Sequence, residues 1–203
     1  MVHRARSRIR LALIFLALAV KLGVGASAAA AAPRLFLTDL QSGPSAGGEG
    51  NLGAFVTSGG EGFGAARGDS TVTVGGREVA RYVTWGEDNA VARGLDMIVV
   101  HLGPAVASGD IVVTAAGEAS NPLPFTVRPG SLFFVSPAGS DDNNGSLAQP
   151  WRTVAHAEDA MAPGDVVYVM DGVVETGPGN FDAVVSIESG GAPGAPEAFI
   201  RGR

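Results

Sequence analysis

Polar side chains able to do chemistry are concentrated in the last third of this sequence. Residues 140–145 read Ser-Asp-Asp-Asn-Asn-Gly, and the oxygens of Asp141, Asp142 and Asn144 are hard donors of the kind that hold calcium. The spacing is not that of an EF-hand loop. With Asp142 and Asn144 in its third and fifth positions, Ser140 falls at the first and Trp151 at the twelfth, where a bidentate Glu is required. A loop of Asx turns, with side chains bonding their own backbone, explains the same residues, so Asp141, Asp142 and Asn144 stand as metal candidates against that simpler reading. His156, Glu158 and Asp159 bring an imidazole and two carboxylates together, which are acid–base groups. An exposed helix face produces the same string with no substrate beside it. Asp165 and Asp171 bracket the run VVYVM in Pro-Gly-Asp and Asp-Gly turns, where carboxylates hold backbone amides.

Two further residues lie earlier in the chain. Trp85, followed by Gly86, Glu87 and Asp88, is a carbohydrate-binding candidate if it stands at a loop tip and stacks on a sugar ring, and a packing residue otherwise. His101 ends the apolar run MIVVH and has no second ligand beside it, so it reads as a strand residue. With no cysteine, the chain has no thiolate nucleophile, no thiolate metal site and no disulfide.

These residues need elements to hold them. Thr153 suits the N-cap of a short helix in which Val154, Ala157 and Met161 make a narrow apolar stripe, and Pro163 and Gly164 stop it. Glu158 lies four residues after Val154, on the flank of that stripe. Residues 132–135 and 166–170 read as strands, and apolar runs at 184–187 and 199–200 follow at a spacing compatible with solenoid coils. Before Pro129 and Gly130, β-type runs recur at 35–37, 55–57, 71–74, 79–84, 97–101, 111–114 and 125–127. Seven such runs between Gly-rich turns predict a β-sandwich.

The N-terminus has a different character. Arg4, Arg6, Arg8 and Arg10 precede LALIFLALAV and then small residues up to Ala32, the pattern of a secretory signal peptide. Its apolar core is too short to span a bilayer, and Lys21 interrupts it, so no membrane association is expected after cleavage. The product is expected to be secreted, periplasmic or at the cell surface. Five of the 14 Lys and Arg lie in this segment, leaving nine against 20 acidic residues, a net charge of −11. Such a surface repels nucleic acid and anionic membranes.

The string SPAGSDDNNG, then PWRTV with alanines at helical spacing, then PGDVVYVMDG, resembles the N-terminal cap of pectate-lyase-like right-handed parallel β-helix proteins. Residues 34–127 resemble the IPT/TIG immunoglobulin-like domains. Gly43-Pro44 with Gly47-Gly48, GGEGFG at 59–64, VTVGG at 72–76, Trp85, Ser108-Gly109 before IVVT, and Ser120-Asn121 before FTV fall in that family's order, with extra residues at 50–54. The resemblances imply an all-β chain: a signal peptide at 1–32, an immunoglobulin-like β-sandwich at 33–129, and at 130–203 the truncated start of a right-handed parallel β-helix with one short capping α-helix. They also imply carbohydrate chemistry in full-length relatives, by a polysaccharide lyase or glycoside hydrolase, with calcium a cofactor there.

No catalytic residue and no cofactor carries over. The lyase reaction of those families needs a basic residue to take the proton alpha to a uronate carboxyl group. Lys21 is the only lysine, and Arg152 is alone in the capping region. A hydrolase would need two carboxylates facing each other across a groove. The expected function is therefore the non-catalytic N-terminal portion of an exported, polysaccharide-associated β-helix protein. The alternative is an extracellular adhesion or glycan-binding module built on the sandwich, with Trp85 as its contact.

Overall fold

The computed structural model describes residues 31–88, 94–175, 187 and 190–202. The signal-peptide expectation, apart from Ala31 and Ala32, and the apolar run at 184–187, apart from Ile187, lie outside these residues.

The chain is predominantly β. Before Pro129 it forms β1 (Arg34–Thr38), β2 (Ser42–Gly43), β3 (Phe55–Glu61), β4 (Thr71–Val74), β5 (Arg77–Glu78), β6 (Arg81–Asp88), β7 (Asp96–His101), β8 (Gly109–Ala115), β9 (Glu118–Ala119) and β10 (Leu123–Val127). After it come β11 (Leu132–Val135), helix α1 (Val154–Ala160), β12 (Val166–Val169), β13 (Gly191–Ala192), β14 (Ala195–Pro196) and β15 (Ala198–Arg201). A 3-10 turn, Glu49–Asn51, precedes β3.

Three larger sheets result. The first, in the order β1-β3-β7-β6, is antiparallel. The second, β2-β10-β8-β4-β5 with β9 on β8, is antiparallel except between β2 and β10. The third, β11-β12-β15, is parallel. The antiparallel strands alternate as half-buried strands do, so Val72 and Val74 of β4 and Ile111 and Val113 of β8 are buried while their neighbours are not. These residues join Val56, Ile98 and Val100 of the first sheet in one apolar cluster.

That cluster continues into the parallel sheet and includes Leu132, Phe134, Val166 and Tyr168. The opposite face of the same sheet carries Val135 and Val167, which pack with Trp151 and Ala157 in a second cluster. Val154 and Met161 join the second cluster, so the stripe expected on α1 is the face it buries. Thr153 caps the helix, its hydroxyl accepting from the His156 amide at 3.2 Å. β12 is covered on both faces, and this explains why its sequence is a continuous apolar run rather than an alternating one. Val166, Val167 and Tyr168 are fully buried, each contributing about 1.5–3 kcal/mol by removal from water.

Polar bonds tie the two parts of the chain at the same junction. The Tyr168 hydroxyl donates to the Phe55 carbonyl and accepts from the Phe55 amide, both at 3.1 Å. Arg128, 6% exposed, donates to Ser42 Oγ at 3.0 Å, to the Pro129 and Pro196 carbonyls at 3.2 and 2.8 Å, and to the Gly164 carbonyl. Burial lowers the affinity of Arg128 for its proton and the nearby Asp165 charge opposes this. No helix among the described residues is long and apolar enough to cross a membrane.

Candidate functional site

The acidic loop is organised by its own backbone. Asp141 Oδ1 accepts from the Arg152 and Thr153 amides at 2.9 and 3.0 Å, and Oδ2 accepts from the Thr153 hydroxyl at 2.9 Å. Partial burial pushes the Asp141 carboxyl upward, but these three bonds and the nearby His156 hold it below its ordinary value. Asn144 Oδ1 accepts from the Ser146 amide at 3.0 Å, an Asx turn, and the Asp142 amide bonds Ser140 Oγ at 3.3 Å. Both Asp142 and Asn144 are exposed. Gly145 lets the loop lie flat on the core, since a Cβ there would come within 2.7 Å of the Trp151 ring at a φ of +75°. The Trp151 indole donates to the Asn143 carbonyl at 2.9 Å and stacks on Phe133 at 4.5 Å. Among the described residues, no three His, Cys, Asp or Glu are grouped to hold a metal ion.

The other polar candidates separate. His156 turns its ring edge to Trp151 at 5.3 Å, and Asp159 is exposed at the end of α1. Asp165 holds backbone amides, Ser131 at 2.6 Å and Ala162 at 2.9 Å. Asp171 does not hold a turn amide through its carboxylate in this way. It pairs with the Arg201 guanidinium, two bonds of 3.2 Å between exposed side chains at the ends of neighbouring parallel strands.

Trp85 lies inside the first sheet. It is 8% exposed, its indole N–H donates to the Phe63 carbonyl at 3.0 Å, and Phe63 and Tyr82 pack against it. Stacking on a sugar needs an open ring face, and Trp85 has none in this position. The reason is that β6 continues through Trp85 to Asp88, with a register shift between Trp85 and Glu87, where the local composition suggests a loop tip.

One constellation is visible only in three dimensions. Arg81 and His101 are direct cross-strand partners on β6 and β7. Glu49, from the 3-10 turn, reaches both: its Oε1 accepts from Arg81 Nη1 at 3.0 Å, and its Oε2 lies 4.0 Å from His101 Nε2. His101 is 5% exposed, with Nδ1 3.4 Å from the Gly53 carbonyl and its ring edge-on to Phe55 at 5.6 Å.

Beside this group the two parts of the chain enclose a groove of about 480 Å³. Residues 48–50 form one wall, residues 146–148 the other, and Leu132 and Phe134 the floor. Gly48, at a φ of +64°, lets the first wall meet the floor, because a Cβ there would stand 2.8 Å from Leu132 Cδ1. The walls come from segments about a hundred residues apart in the chain, and only Glu49 among them is charged.

The chain is similar to the uncharacterized protein YwoF of Bacillus subtilis (strain 168), with 33% identity over 70 residues. Those residues are 34% of this chain and 14% of that protein, so the likeness spans a small part of a longer relative. No family model and no solved structure matches the chain.

Proposed function

We propose that this chain is the non-catalytic N-terminal part of an exported, polysaccharide-associated protein, in which an IPT/TIG-like β-sandwich carries the capped first coil of a pectate-lyase-like parallel β-helix. The observation that supports this reading most is the in-register parallel ladder. Leu132 pairs with Val166 and Val166 with Ala198, and so on along each strand, under a helix lid. Stacked parallel strands of this kind are the repeating unit of solenoids. The remaining edge belongs to β15, where Ala198, Phe199 and Ile200 are half-buried, whereas Val166, Val167 and Tyr168 of β12 are fully so. A further coil stacked on β15 would bury them equally.

The arginines around this coil support a structural role. Arg128 is bonded to backbone carbonyls, Arg152 to the Pro137 carbonyl, and Arg201 to Asp171. None is presented as an unengaged base. Two measurements test the reading with the full chain. Co-sedimentation with insoluble plant or microbial polysaccharides should retain it, while uronate polymers with calcium should gain no ultraviolet absorbance from unsaturated products. Failure to co-sediment with any polymer overturns the association, and appearance of unsaturated product overturns the non-catalytic assignment.

A further inference from the structure

We propose that Asn144–Gly145 is a self-modification site, at which the Gly145 amide nitrogen attacks the Asn144 side chain and converts it to aspartate and isoaspartate. Three observations meet there. Asn144 is exposed to water, and the residue after it has no side chain to crowd the attack. Among the described residues the Gly145 amide donates to no acceptor, so its nitrogen is not held by a bond that the reaction must break. The Ser146 amide donates to Asn144 Oδ1 at 3.0 Å, and this is the atom on which negative charge develops when Cγ is attacked.

The reaction needs only water and hydroxide. Hydroxide takes the Gly145 amide proton, the nitrogen bonds Asn144 Cγ, and the Cγ–Nδ2 bond breaks, releasing ammonia with a proton from water. Water then opens the resulting five-membered imide. Attack at Cγ gives aspartate, and attack at the main-chain carbonyl gives isoaspartate, in which the chain runs through the side chain.

The other asparagines lack this combination. Asn144 is the one asparagine of six that precedes a glycine. Asn121 has both side-chain atoms bonded to Leu35, and Pro122 after it has no N–H. Asn51 and Asn143 are followed by the side chains of Leu52 and Asn144. Asp171 also precedes a glycine, but its carboxylate is paired with Arg201 and offers no amine to expel.

Conversion puts a further carboxylate beside Asp141 and Asp142. The isoaspartyl form also lengthens the main chain before Gly145, which has little room to move. A Cβ there would come within 2.7 Å of the Trp151 ring, and the Gly145 carbonyl accepts from the Phe134 amide at 2.8 Å. The modification therefore loosens the loop from the second apolar cluster.

The test holds the full folded chain at mildly alkaline pH and follows it by peptide mapping, with electron-transfer fragmentation to separate aspartate from isoaspartate. A gain of about 1 Da is expected at Asn144, about tenfold or more faster than at Asn51, Asn121 or Asn143. Asn144→Gln, whose ring would be six-membered, should melt near the wild type and show no gain in the same peptide. Conversion of Asn144 no faster than that of the others, or seen only after unfolding in urea, overturns the site, as does an equal gain in Asn144→Gln. The aged chain should also melt below Asn144→Asp, which has the added charge on an ordinary backbone. Equal melting temperatures overturn the loosening.

Discussion

Tyr168 lies flat on Phe55, with ring centroids 3.6 Å apart, and its hydroxyl closes on both backbone groups of the same residue. One side chain of the parallel sheet thus replaces the strand neighbour that Phe55 would otherwise need at that point. Burial pushes the Tyr168 hydroxyl far above its ordinary range, so it remains protonated and able to donate to the Phe55 carbonyl. Tyr168→Phe keeps the stacking and leaves the Phe55 amide and carbonyl unpaired. The expected loss is about 1–3 kcal/mol in urea unfolding, against about 3–5 kcal/mol for Tyr168→Ala, which also opens a cavity. Equal losses for the two variants would show that the hydroxyl bonds carry the whole contribution.

The shared core predicts one unfolding transition. The sequence has two tryptophans, Trp85 in the first sheet and Trp151 in the second cluster. In a Trp151→Phe variant the fluorescence of Trp85 should change with the same denaturant midpoint as the far-ultraviolet circular dichroism of that variant. Trp151 should do the same in Trp85→Phe. Coincident probes mark all-or-none unfolding, and a midpoint for Trp151 below that of the dichroism would show that the parallel sheet melts by itself.

Arg128 should be less replaceable than its surroundings suggest. Its planar fork reaches the Gly164, Pro129 and Pro196 carbonyls and Ser42 at once, and a lysine ammonium, a point charge, cannot repeat that geometry. Hydrogen bonds to a charged group contribute about 1.5–3 kcal/mol each. Arg128→Met is expected to lower the melting temperature markedly and Arg128→Lys to recover less than half of the loss. Full recovery by lysine would mean that charge alone matters here.

Asp141 gives a pH-dependent term with a defined sign. Its folded-state pKa is lowered, so its contribution is fully present above the unfolded value near 3.8 and is lost as pH falls through the folded value. Asp141→Ala should therefore cost about 1–2 kcal/mol at pH 6, as for a lost helix-capping side chain. The difference between wild type and variant should shrink steadily below pH 4, measured by urea midpoints. A difference that stays constant down to pH 2.5 would exclude the carboxylate as its source.

Local pattern made much of the scaffold legible. Residues 71–74 and 132–135 are strands with the bounds read from their composition, and Val154, Ala157 and Met161 bury the face their spacing defines. Residues 79–84 shift to Arg81–Asp88, because register irregularities between Tyr82 and Thr84 and between Trp85 and Glu87 carry the strand through polar residues. That shift draws Trp85 inside. The Glu49, Arg81 and His101 group was not legible, since it depends on which residues of β6 and β7 stand opposite one another. Nor was the groove, which local composition cannot mark because most of its lining is glycine, alanine and leucine.

The covering of β12 on both faces has a consequence for accuracy rather than for strength. In a strand with one wet face, a slip of one residue is costly because it drives polar groups inward. In VVYV either phase would offer apolar side chains to both cores, so hydrophobicity hardly distinguishes them. The polar hooks do. Only one phase brings the Tyr168 hydroxyl to the backbone of Phe55, and the segment preceding the strand is indexed by Asp165 on the Ser131 and Ala162 amides. The few polar contacts at this junction thus act as alignment marks for a surface that is otherwise nearly uniform.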